Sequence, residues 1–356
     1  MSRKKGAIKV VSNNDVLVEG QEALTLRHKE RELLAQKLSH PGSLVEPEVQ
    51  DEPLCMMSVH PLWDGKEVPK LDPAERPLWD LDLLKVLHLW SFYGVRGEGV
   101  TVTVLDSGIN SLHPAFAGKE IHMRCFLSGV DDPRDYTGHG TWVAGKIAGA
   151  GVGLAPRARL KCGRVLDNSG VGNAIFTNQA LAAALEDDTD IINLSLGSTQ
   201  RNKEQEKLVW KLYRQGVLVV AAAGNRGSSE PLFPGAFDGV LTVGALDHKE
   251  ARASFSNYGA ALEIVAPGVA CYGPYLGTSF RKLQGTSMAA PVVTGIMALA
   301  LSYLKAIKPE MSKIDRRNKV MEALKISAKD LGPAGWDQEY GFGGLDAVAL
   351  FRNLEN

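Results

Sequence analysis

Residues 100–108 read VTVTVLDSG, and this stretch decides the fold. Its β-branched and apolar run follows Gly99 and ends at Asp106, which predicts a buried strand with a carboxylate at its carboxyl end. Four later segments have a similar strand-like composition and predict four further strands, at residues 160–166, 191–196, 217–222 and 240–243.

Helix-like segments lie between these strands, at residues 142–148, 175–185 and 203–215, and a long apolar helix is expected to run to about residue 304. Strands that alternate with helices predict an α/β fold in which a parallel sheet is sandwiched by helices. Such sheets place their functional sites at the carboxyl ends of the strands, so the residues that follow each strand become the candidates.

The composition of the chain limits the classes of partner that the protein is expected to bind. The chain has 356 residues, 44% of them apolar, and a net charge of −1, so no clustered basic surface or nucleic-acid partner is expected. No uninterrupted apolar run reaches the length of a membrane span. The amino terminus lacks the apolar stretch of a signal peptide, which predicts a cytoplasmic protein. The spacing of the four cysteines matches no zinc site, and we expect them to be reduced or incidental.

Residues 1–77 form an extension that differs from residues 78–356. The extension is charged and interrupted by prolines, with a helix expected at about 21–38 and an extended segment at 43–50. One interpretation is an arm that is packed on the surface or disordered.

Four loops carry residues that could perform chemistry. Asp106 ends the first strand, and His139 lies between glycines before a helix. Asn225 ends the fourth strand, and Ser287 begins the long apolar helix, where free backbone N–H groups favour negative charge. Each is ambiguous alone, since Asp and Ser also cap helices and Asn also forms turns.

Along the chain these four residues occur in the order Asp, His, Asn, Ser. One class of serine proteases has its catalytic Asp, His and Ser in this same order. From about Leu78 to Phe351 the chain resembles the subtilases, the subtilisin-like serine proteases, with their three-layer fold. The stretches that carry the resemblance are VTVLDSGINSLHP, TGHGTWVAG, DIINLSLG, VLVVAAAGN, RASFSNYG, IVAPG, LQGTSMAAP and YGFGGLDAVAL.

The resemblance implies a serine endopeptidase without a cofactor that cuts through an acyl-enzyme. Ser287 would be the nucleophile, His139 the general base and Asp106 the residue that orients the imidazole. The Asn225 amide and the Ser287 backbone N–H would hold the oxyanion. General protein turnover and processing of one precursor peptide both remain open, and a peptide-binding pseudoprotease is the alternative. The resemblance makes residues 78–356 the peptidase domain, and it adds a second interpretation of residues 1–77, as an inhibitory segment that resembles the propeptide of secreted subtilases. The oligomeric state is not predicted.

The resemblance also places a polypeptide substrate in an extended conformation between two main-chain edges. One edge is Gly170, Val171 and Gly172, and the other is Ser195, Leu196 and Gly197. Residues 195–198 and 222–226, which include Ala223 and Gly224, would form the wall of the primary pocket.

Two pocket residues depart from many relatives. Leu232 would shorten the pocket and Arg226 would attract an acidic side chain, which predicts a small or acidic residue before the cut. Alternatively, Arg226 is solvated and points away from the pocket.

Two further positions differ from many subtilases. A calcium ligand is missing at Ala115 and the loop at 149–156 is short, so no high-affinity calcium site is expected there, although a weak cation site elsewhere stays open. Trp142 and Val292 occupy positions where relatives often have histidines, and we expect them to pack together as an apolar pair.

Overall fold

The computed structural model describes residues 54–56 and 78–355. The helix expected at 21–38 and the extended segment expected at 43–50 lie outside the described residues. The strands are β1 (Leu54–Met56), β2 (Thr101–Asp106), β3 (Ile121–Cys125), β4 (Arg159–Arg164), β5 (Val171–Gly172), β6 (Ile191–Leu194), β7 (Leu196–Gly197), β8 (Leu218–Ala222), β9 (Val240–Leu246), β10 (Ile264–Pro267), β11 (Cys271–Pro274) and β12 (Phe280–Leu283).

Eight α-helices accompany these strands in the described part of the chain. They are α1 (Trp79–Leu83), α2 (Val86–Phe92), α3 (His139–Ala148), α4 (Ala174–Glu186), α5 (Lys203–Arg214), α6 (Thr286–Ile307), α7 (Lys313–Ser327) and α8 (Ala347–Glu355). A short 3₁₀ turn at Pro114–Phe116 follows β2.

The central sheet has seven parallel strands in the order β10-β9-β8-β6-β2-β4-β3. Apart from the edge strand β3 and the start of β4, its strands are buried on both faces, because alternate side chains enter two different cores. Val104 and Val220 belong to the core that contains α3 and α6, whereas Leu105 and Val219 belong to the core that contains α4 and α5. The predicted three-layer α/β fold is therefore confirmed.

The order of the strands reverses at β2. The chain passes from β2 to the edge strand β3, returns through β4, and then builds the other half of the sheet from β6 to β10. A parallel sheet opens a crevice at such a reversal, at the carboxyl ends of its strands. Asp106 is the last residue of β2 and so lies at this position.

Helix α6 crosses beneath the sheet as the main helix of the larger core. It is the only described helix with the length and hydropathy of a membrane span, but 94% of its most apolar segment is buried inside the protein. The apolar side chains of α6 thus pack against β8, β9 and β10.

A fully buried ion pair joins α1 to α3. Lys146 Nζ lies 2.6 Å from Asp80 Oδ2, and both side chains are 0% exposed. The Trp142 ring lies beside the ammonium, with its centroid 5.5 Å from Nζ. The pair ties the first described helix of the catalytic domain to the helix that begins at His139.

The five predicted strands and the helices predicted between residues 142 and 304 are present, with ends that differ by a few residues. The expectation for the cysteines is borne out at three of the four positions: Cys125, Cys162 and Cys271 are free thiols. Burial raises the pKa of the Cys162 and Cys271 thiols, which keeps them protonated and unreactive.

Candidate active site

Asp106 and His139 meet at the carboxyl end of β2. Asp106 Oδ1 lies 2.7 Å from His139 Nδ1, and both side chains are almost fully buried. The same carboxylate oxygen accepts a hydrogen bond from the Ser107 backbone N–H. The hydrogen bond between Asp106 and His139 fixes the tautomer of the imidazole, so that Nδ1 carries the proton and Nε2 has the lone pair.

Two glycines allow this close approach. A Cβ atom at Gly140 would overlap the Gly108 carbonyl in the Asp106 loop, and one at Gly138 would overlap the Tyr275 ring. Gly138 also has φ +85°, in the left-handed region that favours glycine. The glycines that flank His139 thus admit the Asp106 loop and Tyr275.

Ser287 lies in the first turn of α6. Its side chain is fully buried, and its Oγ donates to the Ser195 carbonyl at 3.1 Å. The Ser195 hydroxyl in turn donates to the Ser287 carbonyl at 2.9 Å. His139 Nε2 has no hydrogen-bond partner among the described residues. The lone pair of Nε2 is therefore not engaged by any described residue.

Asn225 is held by one end of its amide group. Its Oδ1 accepts from the Thr286 backbone N–H and from Thr286 Oγ1, both at 2.9 Å. These bonds assign the amide nitrogen to the other side, towards Gly285. A Cβ atom at Gly285 would lie 3.1 Å from Asn225 Nδ2, so the glycine leaves space for an acceptor in front of the amide. The Ser287 backbone nitrogen lies 3.7 Å from the same Cβ position, so the Asn225 amide and the Ser287 N–H lie on one side of Gly285.

Asp135 is a buried carboxylate that sequence analysis missed. It accepts hydrogen bonds from the Ser107 hydroxyl at 2.9 Å, the backbone N–H groups of Thr137 and Gly138, and both the N–H and hydroxyl groups of Thr141. These donors come from the loop after Asp106 and from the start of α3. Asp135 thus locks together the two segments that carry Asp106 and His139.

The pKa of His139 reflects these neighbours. Burial alone would lower it, but the Asp106 carboxylate raises it through its charge and its hydrogen bond, and Asp135 raises it further through its charge. The net effect is a raised pKa, because the two carboxylates stabilise the imidazolium.

The two main-chain edges named from the sequence lie on either side of a strand from the extension. β1 pairs antiparallel with β5 on one side and with β7 on the other. Cys55 is the central residue, opposite Val171 and Gly197 at once. The gap between β5 and β7 therefore accepts one extended peptide through backbone hydrogen bonds. The predicted edges extended one residue further, to Gly170 and Ser195, which fall outside the paired strands.

The wall of the predicted pocket is built on Asn257. The side chain of Asn257 is fully buried. Its Oδ1 accepts a hydrogen bond from the Arg226 backbone N–H at 2.8 Å, and its Nδ2 donates to the carbonyl groups of Ala223 and Glu230. Leu232 is buried, and its Cγ would lie 3.0 Å from a Cβ atom at Gly224. The Arg226 side chain is exposed. Leu232 thus lies against Gly224 in the predicted wall, while Arg226 is in solvent beside it.

Trp142 packs against the hairpin β11–β12. Its indole N–H donates to the Arg281 carbonyl at 3.0 Å, and a Cβ atom at Gly273 would contact the ring. Trp142 and Val292 are both fully buried in the same core. Their direct contact stays a prediction.

The residues at the expected calcium position do not fit a calcium ion. Ala115 has no side-chain oxygen, and its carbonyl accepts the Ala150 N–H at 2.7 Å. Both ring nitrogens of the nearby His113 already have hydrogen-bond partners: Nδ1 accepts from the Ala115 N–H, and Nε2 contacts the Ser279 carbonyl. Calcium requires six to eight oxygen ligands. No step of the chemistry is assigned to calcium here.

Comparison with known proteins bears on both fold and site. The model of the Subtilase family matches residues 97–343. The chain is 40% identical over 267 residues to Subtilisin Savinase of Lederbergia lenta, a match that covers 73% of this chain and 93% of that protein. It is 38% identical over 265 residues to Subtilisin DY of Bacillus licheniformis, covering 72% of this chain and 92% of that protein.

M-protease of Shouchella clausii (strain KSM-K16) is also 40% identical over 267 residues. This match covers 73% of this chain but 66% of M-protease, just under two thirds of its length.

We expect Asp135→Asn to lower the pKa of His139, because it removes a negative charge that stabilises the imidazolium. An NMR titration of the imidazole ring protons measures this pKa directly. Asp132→Asn is the matched control, since Asp132 bonds Arg134 and Tyr136 rather than the His139 loop. An unchanged His139 pKa in Asp135→Asn would contradict the role given to Asp135.

Proposed function

This chain belongs to the subtilase family, the subtilisin-like serine proteases, and we propose that it cleaves polypeptides as an endopeptidase through Asp106, His139 and Ser287. The hydrogen bond of 2.7 Å between Asp106 and His139 Nδ1 carries the proposal, together with the unpartnered Nε2. A buried imidazole in that tautomer is a base whose lone pair faces outward from the carboxylate.

The reaction begins when the Ser287 hydroxyl turns from the Ser195 carbonyl towards His139 Nε2. Ser287 Oγ attacks the scissile carbonyl while its proton passes to Nε2, and Asp106 stabilises the imidazolium. The negative oxygen of the tetrahedral intermediate accepts hydrogen bonds from Asn225 Nδ2 and the Ser287 backbone N–H. His139 then gives its proton to the leaving amine, and water hydrolyses the acyl-enzyme by the same steps in reverse.

Ser287→Ala should abolish both peptide cleavage and labelling by a fluorophosphonate, because it removes the nucleophile. Asn225→Ala should keep the fold and lower kcat by roughly 10²–10³, the usual loss for such an oxyanion donor. Ser229→Ala, at an exposed serine, is the control and should retain both activities. A wild-type chain that binds peptides but resists the fluorophosphonate would favour the pseudoprotease instead.

Specificity next to the cut is proposed to follow from Leu232 and Arg226. The buried Leu232 side chain beside Gly224 leaves space for a small side chain, and the exposed Arg226 offers a positive charge near the wall. Such a restricted pocket favours the processing of a particular precursor peptide over general turnover.

A peptide library should therefore show small or acidic residues before the cut. Leu232→Gly should shift the profile towards large residues, and Arg226→Gln should reduce the acidic preference alone. A wild-type profile led by large aromatic residues would contradict the proposal.

The extension is proposed to inhibit the enzyme by occupying the substrate position. Pairing of Leu54–Met56 with β5 and β7 supports this, because a substrate requires the same backbone groups. The extension must leave this position before a polypeptide can bind. Of the two interpretations left open from the sequence, the pairing favours the inhibitory one.

Cys55→Pro tests this proposal, since proline removes the backbone N–H of the central residue of the strand. The full chain carrying Cys55→Pro should cleave a short peptide with a KM several-fold lower and an unchanged kcat. Cys55→Ala keeps the N–H and should behave as the wild type. Equal KM values in all three proteins would contradict inhibition by this strand.

A further inference from the structure

A basic groove runs along the exposed face of α5 and takes no part in the chemistry described above. Its volume is about 660 Å³. Among the described residues, its lining consists of five cationic side chains, one carboxylate and one indole: Arg201, Lys203, Lys207, Lys211, Arg214, Glu206 and Trp210.

Helical spacing gathers these charges on one face. Lys203, Lys207, Lys211 and Arg214 follow one another at intervals of four, four and three residues, so their side chains lie along one stripe. Trp210 is 41% exposed beside them. The net charge of −1 conceals this local excess, which explains why composition gave no sign of a basic surface.

Part of the positive charge has no carboxylate partner. Arg201 Nε bonds Glu206 Oε2 at 3.0 Å, and Lys207 lies 3.3 Å from Glu204. Within residues 78–355, neither Lys211 nor Arg214 forms an ion pair. A groove with several charges of one sign attracts the opposite charge more strongly than a single exposed pair does.

The register of β1 against β7 shows which part of a bound peptide approaches the groove. Cys55 lies opposite Gly197 and Met56 opposite Leu196, in antiparallel pairing. A step towards the amino terminus of the peptide is therefore a step along the chain beyond Gly197. Arg201, the first groove residue, follows Gly197 by four positions along the chain, after a bend at residues 199 and 200.

The peptide segment found in the cleft carries the matching charge upstream. Residues 46–53 read EPEVQDEP, and four of these eight residues are acidic. They precede Leu54, on the side of the peptide that the register directs towards Arg201. The sequence of the chain itself thus combines a strand that fits the cleft with an acidic stretch before it.

We propose that the basic groove is a binding site for acidic side chains of the polypeptide substrate, beginning about three residues before the segment that pairs with β5 and β7. This inference rests on the proposed endopeptidase function and names a class of substrate for it. Lys211 and Arg214 attract the carboxylates, and Trp210 covers the apolar parts of the same stretch. The groove acts on binding, at a distance from the scissile bond.

Two quenched fluorescent peptides test the site with the full chain. They share the same residues across the paired segment and the cut, and differ upstream, where one carries EPEVQDE and the other QPQVQNQ. The kcat/KM of the acidic peptide should exceed that of the neutral peptide on the order of tenfold, and the difference should lie in KM. Each exposed ion pair contributes little, so the effect depends on the sum of several pairs. The difference should vanish near 1 M salt, where the Debye length is about 3 Å.

A charge-reversed variant assigns the effect to the groove. Lys211→Glu with Arg214→Glu should abolish the difference, so that the acidic and the neutral peptide are cleaved with equal kcat/KM. Lys249→Glu with Lys308→Glu makes the same change in net charge outside the groove and should preserve the difference. Because both peptides are measured on one preparation, inhibition by the extension cancels in their ratio.

Three results would overturn the inference: equal kcat/KM for both wild-type reactions, a preference that survives in the groove variant, or a preference that is also lost in the control. Equal cleavage of the peptides combined with groove-dependent retention of a single-stranded oligonucleotide would reassign the groove to nucleic acid. Failure of the wild-type chain to cut either peptide would instead count against the endopeptidase function itself.

Discussion

The buried hydrogen bond between Asp106 and His139 is the contact on which the rest of the structure depends. A carboxylate removed from water is costly unless donors surround it, and Oδ1 of Asp106 accepts hydrogen bonds from an imidazole N–H and the Ser107 N–H. Asp135 adds a second buried carboxylate, held by hydroxyl and backbone donors from both adjoining segments. The fold brings these groups together because β2 ends where the sheet reverses its order. Glycines then let the segments approach until the donors reach the acceptors.

The sequence allows the central sheet and the four chemical residues to be predicted, because both depend on local patterns. Strands buried on both faces are continuous apolar runs, and residues such as Asp106 and Asn225 follow those runs directly. The edge strand β3 reads IHMRC and is half exposed, so its mixed composition hides it. Asp135, Thr286 and Asn257 act through hydrogen bonds to distant segments, which no spacing in the sequence reveals.

Two kinds of contact are available for recognising a peptide in this protein. Main-chain contacts have no sequence preference, whereas side-chain contacts do. Between β5 and β7 the contacts are made by main-chain groups, which every peptide offers equally. The strand of the extension and a substrate are therefore equivalent there. We propose that discrimination comes from side chains outside this sheet, where Leu232 would limit the volume of the pocket and α5 would supply charge. Separation of the two tasks lets the binding strength and the choice of partner change independently.

The buried pair of Asp80 and Lys146 sets a limit on how far the chain can be shortened from its amino terminus. A cut after Asp80 would detach the carboxylate and leave an ammonium group enclosed in the core at 0% exposure. An unpaired buried charge of this kind typically costs about 3–5 kcal/mol, a large share of the stability of a domain. Trimming that stops before Trp79 preserves the pair, and with it the support beneath the helix that begins at His139. The folded core itself thus marks the latest residue at which a stable shortened chain can begin.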